Sequence, residues 1–173
     1  HTWVPQAKVD ADNEKIDYRA LQQEGLLTIV PGEYVKKELI FDWFVEQSKK
    51  YKIEKIMYDP AKAFGLVEEL KGYGFECEVV RQGYITLGPA LDDLKERFLD
   101  GNVVFNDNKL FRWYTNNVVL KTDRNGNNLP TKQNKYRKID GFAALLNAHV
   151  EVMKKFTAHK GSGEIKFISL KDL

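Results

Sequence analysis

A single cysteine, Cys77, stands inside an apolar run. No disulfide can therefore form within the chain, and no cysteine-based metal site can be assembled. That usage suits a reducing compartment. The sequence has no uninterrupted apolar run of about 18 residues, so no membrane-spanning helix is expected. It also lacks the basic start and apolar core of a signal peptide, and an intracellular protein is the expectation. No Gly-x-x-x-x-Gly-Lys-Ser/Thr stretch occurs, which excludes an ATP-binding loop of that kind from these residues. Charge of one sign is not in excess either. The 27 basic and 25 acidic side chains leave +2, so the total neither favours nor excludes a polyanionic partner, and the distribution has to decide. An initiator methionine is missing as well: the chain opens on His1-Thr2-Trp3-Val4-Pro5, as expected of a cut or processed polypeptide.

The 173 residues, 43% of them hydrophobic and 30% charged, are enough for one domain with a real core and too few for two. Residues 5–24 are polar and acidic, and the series Ile16, Tyr18, Leu21 predicts one short peripheral helix before Gly25. Leu26 to Val30 reads as a strand stopped by Pro31-Gly32. Val35, Leu39, Phe41, Phe44 and Val45 predict an amphipathic helix over 34–50. Ile53 to Tyr58 follows as a strand that Pro60 must end, because proline cannot continue a ladder. A helix through Ala63, Phe64, Val67 and Leu70, a strand over Phe75–Val80 and a helix over Leu87–Leu99 come next, with Pro89 tolerable near the first turn. Beyond a short strand or extended stretch at Asn102–Phe105, a helix is expected over Lys109–Asn116, its aromatic residues serving the core. Val118 to Lys121 is a strand, Asn125-Gly126 marks a hairpin or ordered loop, and Ile139–Met153 is a long helix. A late strand at Ile165–Ile168 is the last expectation. Alternating strands and helices indicate an α/β domain with a partly parallel sheet, whose chemistry gathers beyond the C-terminal strand ends.

Two aspartates stand out by context. Asp59 ends an apolar strand, and Asp140 opens an apolar helix within Arg137-Lys138-Ile139-Asp140-Gly141. A carboxylate at a sheet edge needs compensation, and a divalent cation supplies it. A turn or cap for Asp59, and a dipole-favoured first-turn residue for Asp140, are the competing readings, and local pattern does not choose between them. A second feature is the cluster Lys121, Arg124, Lys132, Lys135, Arg137 and Lys138, set among Asn125, Asn127, Asn128 and Gln133. Either it is a solvated loop or it follows a nucleic-acid backbone without reading bases; nearby Asp140 favours the latter. His149, Asp42, Asp92 and Asp93 read as structural.

Five stretches in order, Gly25–Gly32, Ile56-Met57-Tyr58-Asp59-Pro60, Val80-Arg81-Gln82-Gly83, Asn117-Val118-Val119-Leu120 and Arg137–Leu145, resemble the nuclease half of the large terminase subunits of tailed bacteriophages. The resemblance runs over roughly residues 3–153. It implies an RNase H-like α/β fold, a mixed central sheet flanked by helices and incomplete at its N-terminus, over residues 1–156, with a linker or tail over 157–173. It further implies an endonuclease that cuts concatemeric double-stranded DNA using Mg²⁺ or Mn²⁺. The family's aspartate after the central strand falls on Asp59, and that of its basic-Ile-Asp-Gly helix on Asp140. Its first aspartate belongs to an opening strand upstream of Trp3-Val4-Pro5, and this sequence is expected to begin after it, leaving Asp123 as a reserve ligand. The implied partners are duplex DNA, the N-terminal terminase ATPase domain, the small terminase subunit and the portal protein. The implied place is the cytoplasm of an infected or lysogenic bacterial host. A noncatalytic DNA-binding or assembly module, or another RNase H-like enzyme such as a transposase or junction resolvase, remains open at this point.

Overall fold

The computed structural model describes residues 1–61 and 63–159, with side chains through Lys155. Its centre is a helical seam. Helix α5 (Tyr84–Leu99) packs along α7 (Asp140–His159), burying Leu87, Ala90, Leu91 and Leu94 on one side and Phe142, Leu146 and Val150 on the other. These residues recur every three or four positions, so each helix presents one apolar stripe. Pro89 lies in the second turn of α5, on its exposed side. It removes the N–H that would reach the Ile85 carbonyl, and the helix nonetheless begins three residues earlier than its apolar spacing predicts.

Strands surround this seam in three two-stranded pieces. β1 (Trp3–Pro5) pairs in parallel with β2 (Thr28–Val30), and β3 (Ile56–Tyr58) in parallel with β4 (Cys77–Val79). β5 (Val118–Thr122) and β6 (Asn128–Lys132) form the antiparallel hairpin, register Val118↔Lys132 to Thr122↔Asn128. The expected mixed sheet is thus distributed over small open sheets flanked by helices. Parallel pairs require crossovers: α1 (Gln6–Ala11) and α2 (Tyr18–Gln23) lie between β1 and β2, and α4 (Phe64–Tyr73) between β3 and β4, while α3 (Lys37–Ser48) links the two pairs and packs on α4. Helix α6 (Lys109–Asn116) also rests on α7. Its start is set by Asn108, whose side chain accepts from the Phe111 N–H at 2.9 Å, satisfying a donor that the first turn leaves open. Tyr114 is buried in the core, as the spacing predicts. Residues 102–105 pair with no strand among the described residues.

The N-terminal segment departs from expectation. Instead of one peripheral helix it forms β1, α1 (Gln6–Ala11) and α2 (Tyr18–Gln23), and Val4, Tyr18 and Leu21 join the main core. Two features hide this from the sequence: the strand is three residues long, and Asp12 and Lys15, at φ 44° and 50°, break any helical period. The expected strand at Ile165–Ile168 lies outside the described residues.

Charge fastens α7 to the β3–β4 pair. Lys55 Nζ meets Glu151 and Glu78 at 2.9 Å and Glu76 at 3.0 Å, and Lys154 Nζ meets Glu78 at 2.8 Å. Hydrogen bonds from Lys154 and then Lys55 hold the Glu78 carboxyl down at about 2, against an ordinary 4.5. Lys55 lowers that of Glu151 in the same direction. A carboxyl depressed in the folded state contributes its full stability above the unfolded value and loses it as pH falls through the folded one. The denaturant midpoint should therefore drop as pH goes from about 4.5 to about 2, and Glu78→Gln should flatten that drop. Equal pH slopes for the two proteins would show that the network does not fasten α7.

Candidate active site

Asp59 follows β3 directly. Pro60 prevents further pairing, and Asp59 Oδ1 accepts from the Ala61 N–H at 2.9 Å, turning the chain while the side chain stays exposed. Asp140 is the first residue of α7 and is also exposed; negative charge is favoured at that end of a helix. Strand and helix run antiparallel. Lys55, before β3, meets Glu151 late in α7, whereas Gln82, beyond β4, donates from Nε2 to Asn147 Oδ1 at 3.2 Å. Onward from the Lys55–Glu151 contact the strand rises about 13 Å to Asp59, and α7 spans about 16 Å back to Asp140. Both carboxylates therefore come to the same end of this layer.

The turn entering α7 is pinned from three sides. Asn117, buried at the end of α6, donates from Nδ2 to the Lys138 carbonyl at 2.9 Å. Gly141 lies against Tyr114, whose Cδ2 would stand 2.5 Å from any Cβ at that position. Glu14, only 6% exposed, receives the Tyr18 hydroxyl and pairs with Lys8 Nζ at 3.0 Å and Lys138 Nζ at 3.5 Å. Burial, reinforced by Glu14, raises the Tyr18 hydroxyl far above its usual range, so it remains a donor. Burial and the adjacent Lys8 ammonium lower Lys138. A buried carboxylate with two amines and a phenol is a satisfied one, and here it ties the first 18 residues to the start of α7.

The basic candidates divide into two groups. Lys121 and Arg124 occupy the tip half of the hairpin, and Lys132, Lys135, Arg137 and Lys138 run from its base to Asp140. Among the described residues none of Lys121, Arg124, Lys132, Lys135 and Arg137 is in an ion pair with a carboxylate, whereas Lys138 is. Asp123 has a local role. Its carboxylate accepts from the Asn125 and Asn127 N–H groups at 2.8 and 2.9 Å and from Asn127 Nδ2 at 2.9 Å. The Asn127 side chain, first among these, lowers its pKa. The hairpin itself rests on α5 at Gly88, where a Cβ would meet the Asn128 carbonyl at 3.4 Å. His149 is buried and structural, its Nε2 2.5 Å from Asp93 Oδ2.

Exposed carboxylate oxygens are the donor type that magnesium and manganese prefer. Their number is short of a site: among the described residues no three of His, Cys, Asp and Glu gather into a group able to hold a metal ion. Asp59 and Asp140 thus have the donor chemistry for such an ion, and two carboxylates alone are fewer ligands than it takes.

A family model described as the endonuclease domain of the terminase large subunit matches residues 4–157. The chain belongs to that family. It is 24% identical over 147 residues to the terminase large subunit of Enterobacteria phage HK97, covering 83% of this chain and 29% of that protein. It is 30% identical over 147 residues to the terminase large subunit of Lactococcus phage SK1, covering 82% and 27%. The crystal structure of the HK97 large terminase superposes with a TM-score of 0.77 at 22% identity, covering 86% of this chain and 32% of that one, and this likeness shows the fold. The terminase nuclease chain thus spans under a third of the length of these relatives. No helix among its described residues is long and apolar enough to cross a membrane.

Glu14, Lys8, Asn117 and the Gly141–Tyr114 contact escaped the reading of the sequence. A carboxylate in a polar segment carries no local sign of burial, and the one available signal was Gly141, a glycine inside an otherwise apolar helix. Gly141→Ala should destabilise the fold by about 1–3 kcal/mol through overpacking on Tyr114, measured by urea denaturation. A Gly141→Ala/Tyr114→Leu double variant should recover part of that loss, and strictly additive losses would mean the contact does not constrain α7.

Proposed function

We propose that this chain supplies the nuclease of a terminase large subunit that cuts concatemeric double-stranded viral DNA to genome length during packaging, in a divalent-metal-dependent reaction. In this reading residues 1–156 form the nuclease body and 157–173 a linker or tail. What carries it is a pair of exposed carboxylates, Asp59 just past β3 and Asp140 at the start of the antiparallel α7, with Asp140 preceded in sequence by cations of which Lys132, Lys135 and Arg137 have no carboxylate partner among the described residues. Asp59 and Asp140 would hold Mg²⁺ or Mn²⁺ together with further ligands. When bound, such an ion activates water and neutralises charge at phosphorus.

The protein's own residues supply placement. The Ala61 N–H orients Asp59, and the pinned turn at Lys138 orients Asp140. Lys121, Arg124, Lys132, Lys135, Arg137 and Lys138 hold the duplex through its phosphates, which fixes register and carries little sequence information. Weak sequence preference follows. The partners in this reading are the N-terminal packaging ATPase of the same polypeptide, the small terminase subunit and the portal protein. The setting is the cytoplasm of an infected or lysogenic bacterial host.

The test is cleavage of supercoiled and linear DNA by the full-length polypeptide in Mg²⁺, Mn²⁺ or EDTA. Asp59→Asn and Asp140→Asn should each slow cutting by about two orders of magnitude or more, with duplex binding in EDTA unchanged. A folded protein that binds duplex DNA and cuts under none of these conditions would replace this reading with a noncatalytic binding module.

A further inference from the structure

An open recess of about 370 Å³ lies where the N-terminal segment meets the turn entering α7, lined by Lys8, Asn13, Glu14, Lys135, Tyr136 and Lys138 among others. Three amines face it against one carboxylate. That carboxylate, Glu14, is buried beneath the recess and already engaged by Tyr18, Lys8 and Lys138, so it holds two of the ammonium groups in place and leaves a net positive mouth. Lys135 has no carboxylate partner among the described residues; its Nζ lies 4.9 Å from the centroid of the exposed Tyr136 ring. Lys132 adds to the positive charge felt at Lys138.

We propose that this recess seats one backbone phosphate of duplex DNA, with Lys8 and Lys135 as its principal contacts and Asn13 as a further donor. The inference rests on the DNA-cutting reading above and extends it to a residue, Lys8, in a part of the chain far from the hairpin in sequence. Chemistry favours an anion with several acceptor oxygens. Ammonium groups crowded around one carboxylate repel one another, and a phosphate relieves that repulsion while accepting from each. Position favours a phosphodiester in a chain. Lys138 stands two residues before Asp140, so a phosphate held here is a near neighbour of any phosphate at Asp140, and Lys135 and Lys138 connect the recess through the chain to Lys132 at the base of the hairpin.

The measurement is fluorescence anisotropy of a labelled duplex with the full-length polypeptide in EDTA, repeated over a range of salt, so that cutting plays no part. Each phosphate contact contributes about one to the slope of log affinity against log salt. Lys8→Gln and Lys135→Gln should each lower that slope by about one and weaken binding several-fold on any sequence. Lys37→Gln, which removes an amine paired with Glu69 on α3 and α4, should leave it unchanged. Lys8→Arg keeps the pairing with Glu14 and should preserve the slope. A slope lowered by Lys135→Gln alone, with Lys8→Gln folded and its slope unchanged, overturns the recess, because Lys135 already contacts the duplex in the reading above. Unchanged slopes for both recess variants, with lowered slopes for Lys121→Gln and Arg124→Gln, overturn the recess and leave the DNA reading standing. Slopes unchanged in all four overturn both. A melting temperature raised by inorganic phosphate in the parent but not in Lys135→Gln, with DNA slopes unaltered, reassigns the recess to free phosphate and overturns the proposal.

Discussion

Helix α7 can be held in one place because both of its flanks are occupied. Leu146 and Val150 face α5 across the seam, and Lys55 and Lys154 join its later turns to β3–β4 through Glu151 and Glu78. Apolar burial supplies the attraction at roughly 1.5–3 kcal/mol per large side chain. It is not directional, however, and a helix held by burial alone can slide or rotate. The charged network on the other flank fixes the register. Everything proposed for the site depends on that register, since Asp140 is placed by the helix it begins and Asp59 by the strand lying against it.

The N-terminal end of α7 is constrained differently, by close approach and by a buried charge. Gly141 lets the helix come against Tyr114, and Glu14 draws Lys8 and Lys138 to a common point. Neither device adds much net stability. A buried ion pair returns little beyond its desolvation cost, and a glycine inside a helix is worth less than alanine. Their effect is to settle where the aspartate and the neighbouring amines stand.

Electrostatically the molecule has two faces of different character. Around β3, β4 and the end of α7, lysines and glutamates neutralise each other, which stabilises the fold and leaves little field outside it. Along the hairpin and the turn before α7, cations are left without counter-charges among the described residues, and the field projects outward. A net charge of +2 conceals this segregation completely, because long-range attraction of a polyanion depends on where charge is uncompensated.

Much of this was legible in the chain. Periodicity located α3, α4, α5 and α7 and the strand before Asp59, because those segments either bury one stripe or end at a proline, and both are local consequences of sequence. Asn125-Gly126 marked the turn, as a hairpin or an ordered loop, and the β5–β6 pairing made it the hairpin. Motif order indicated the terminase nuclease family. Tertiary structure alone decided that the polar opening residues belong to the core, that Asp123 is absorbed in its own turn, that the strands form separate pairs, and that Glu14 lies beneath Lys138. Those are facts about residues far apart in sequence, and burial, pairing and compensation of charge are set by what the folded chain brings alongside, which no local pattern encodes.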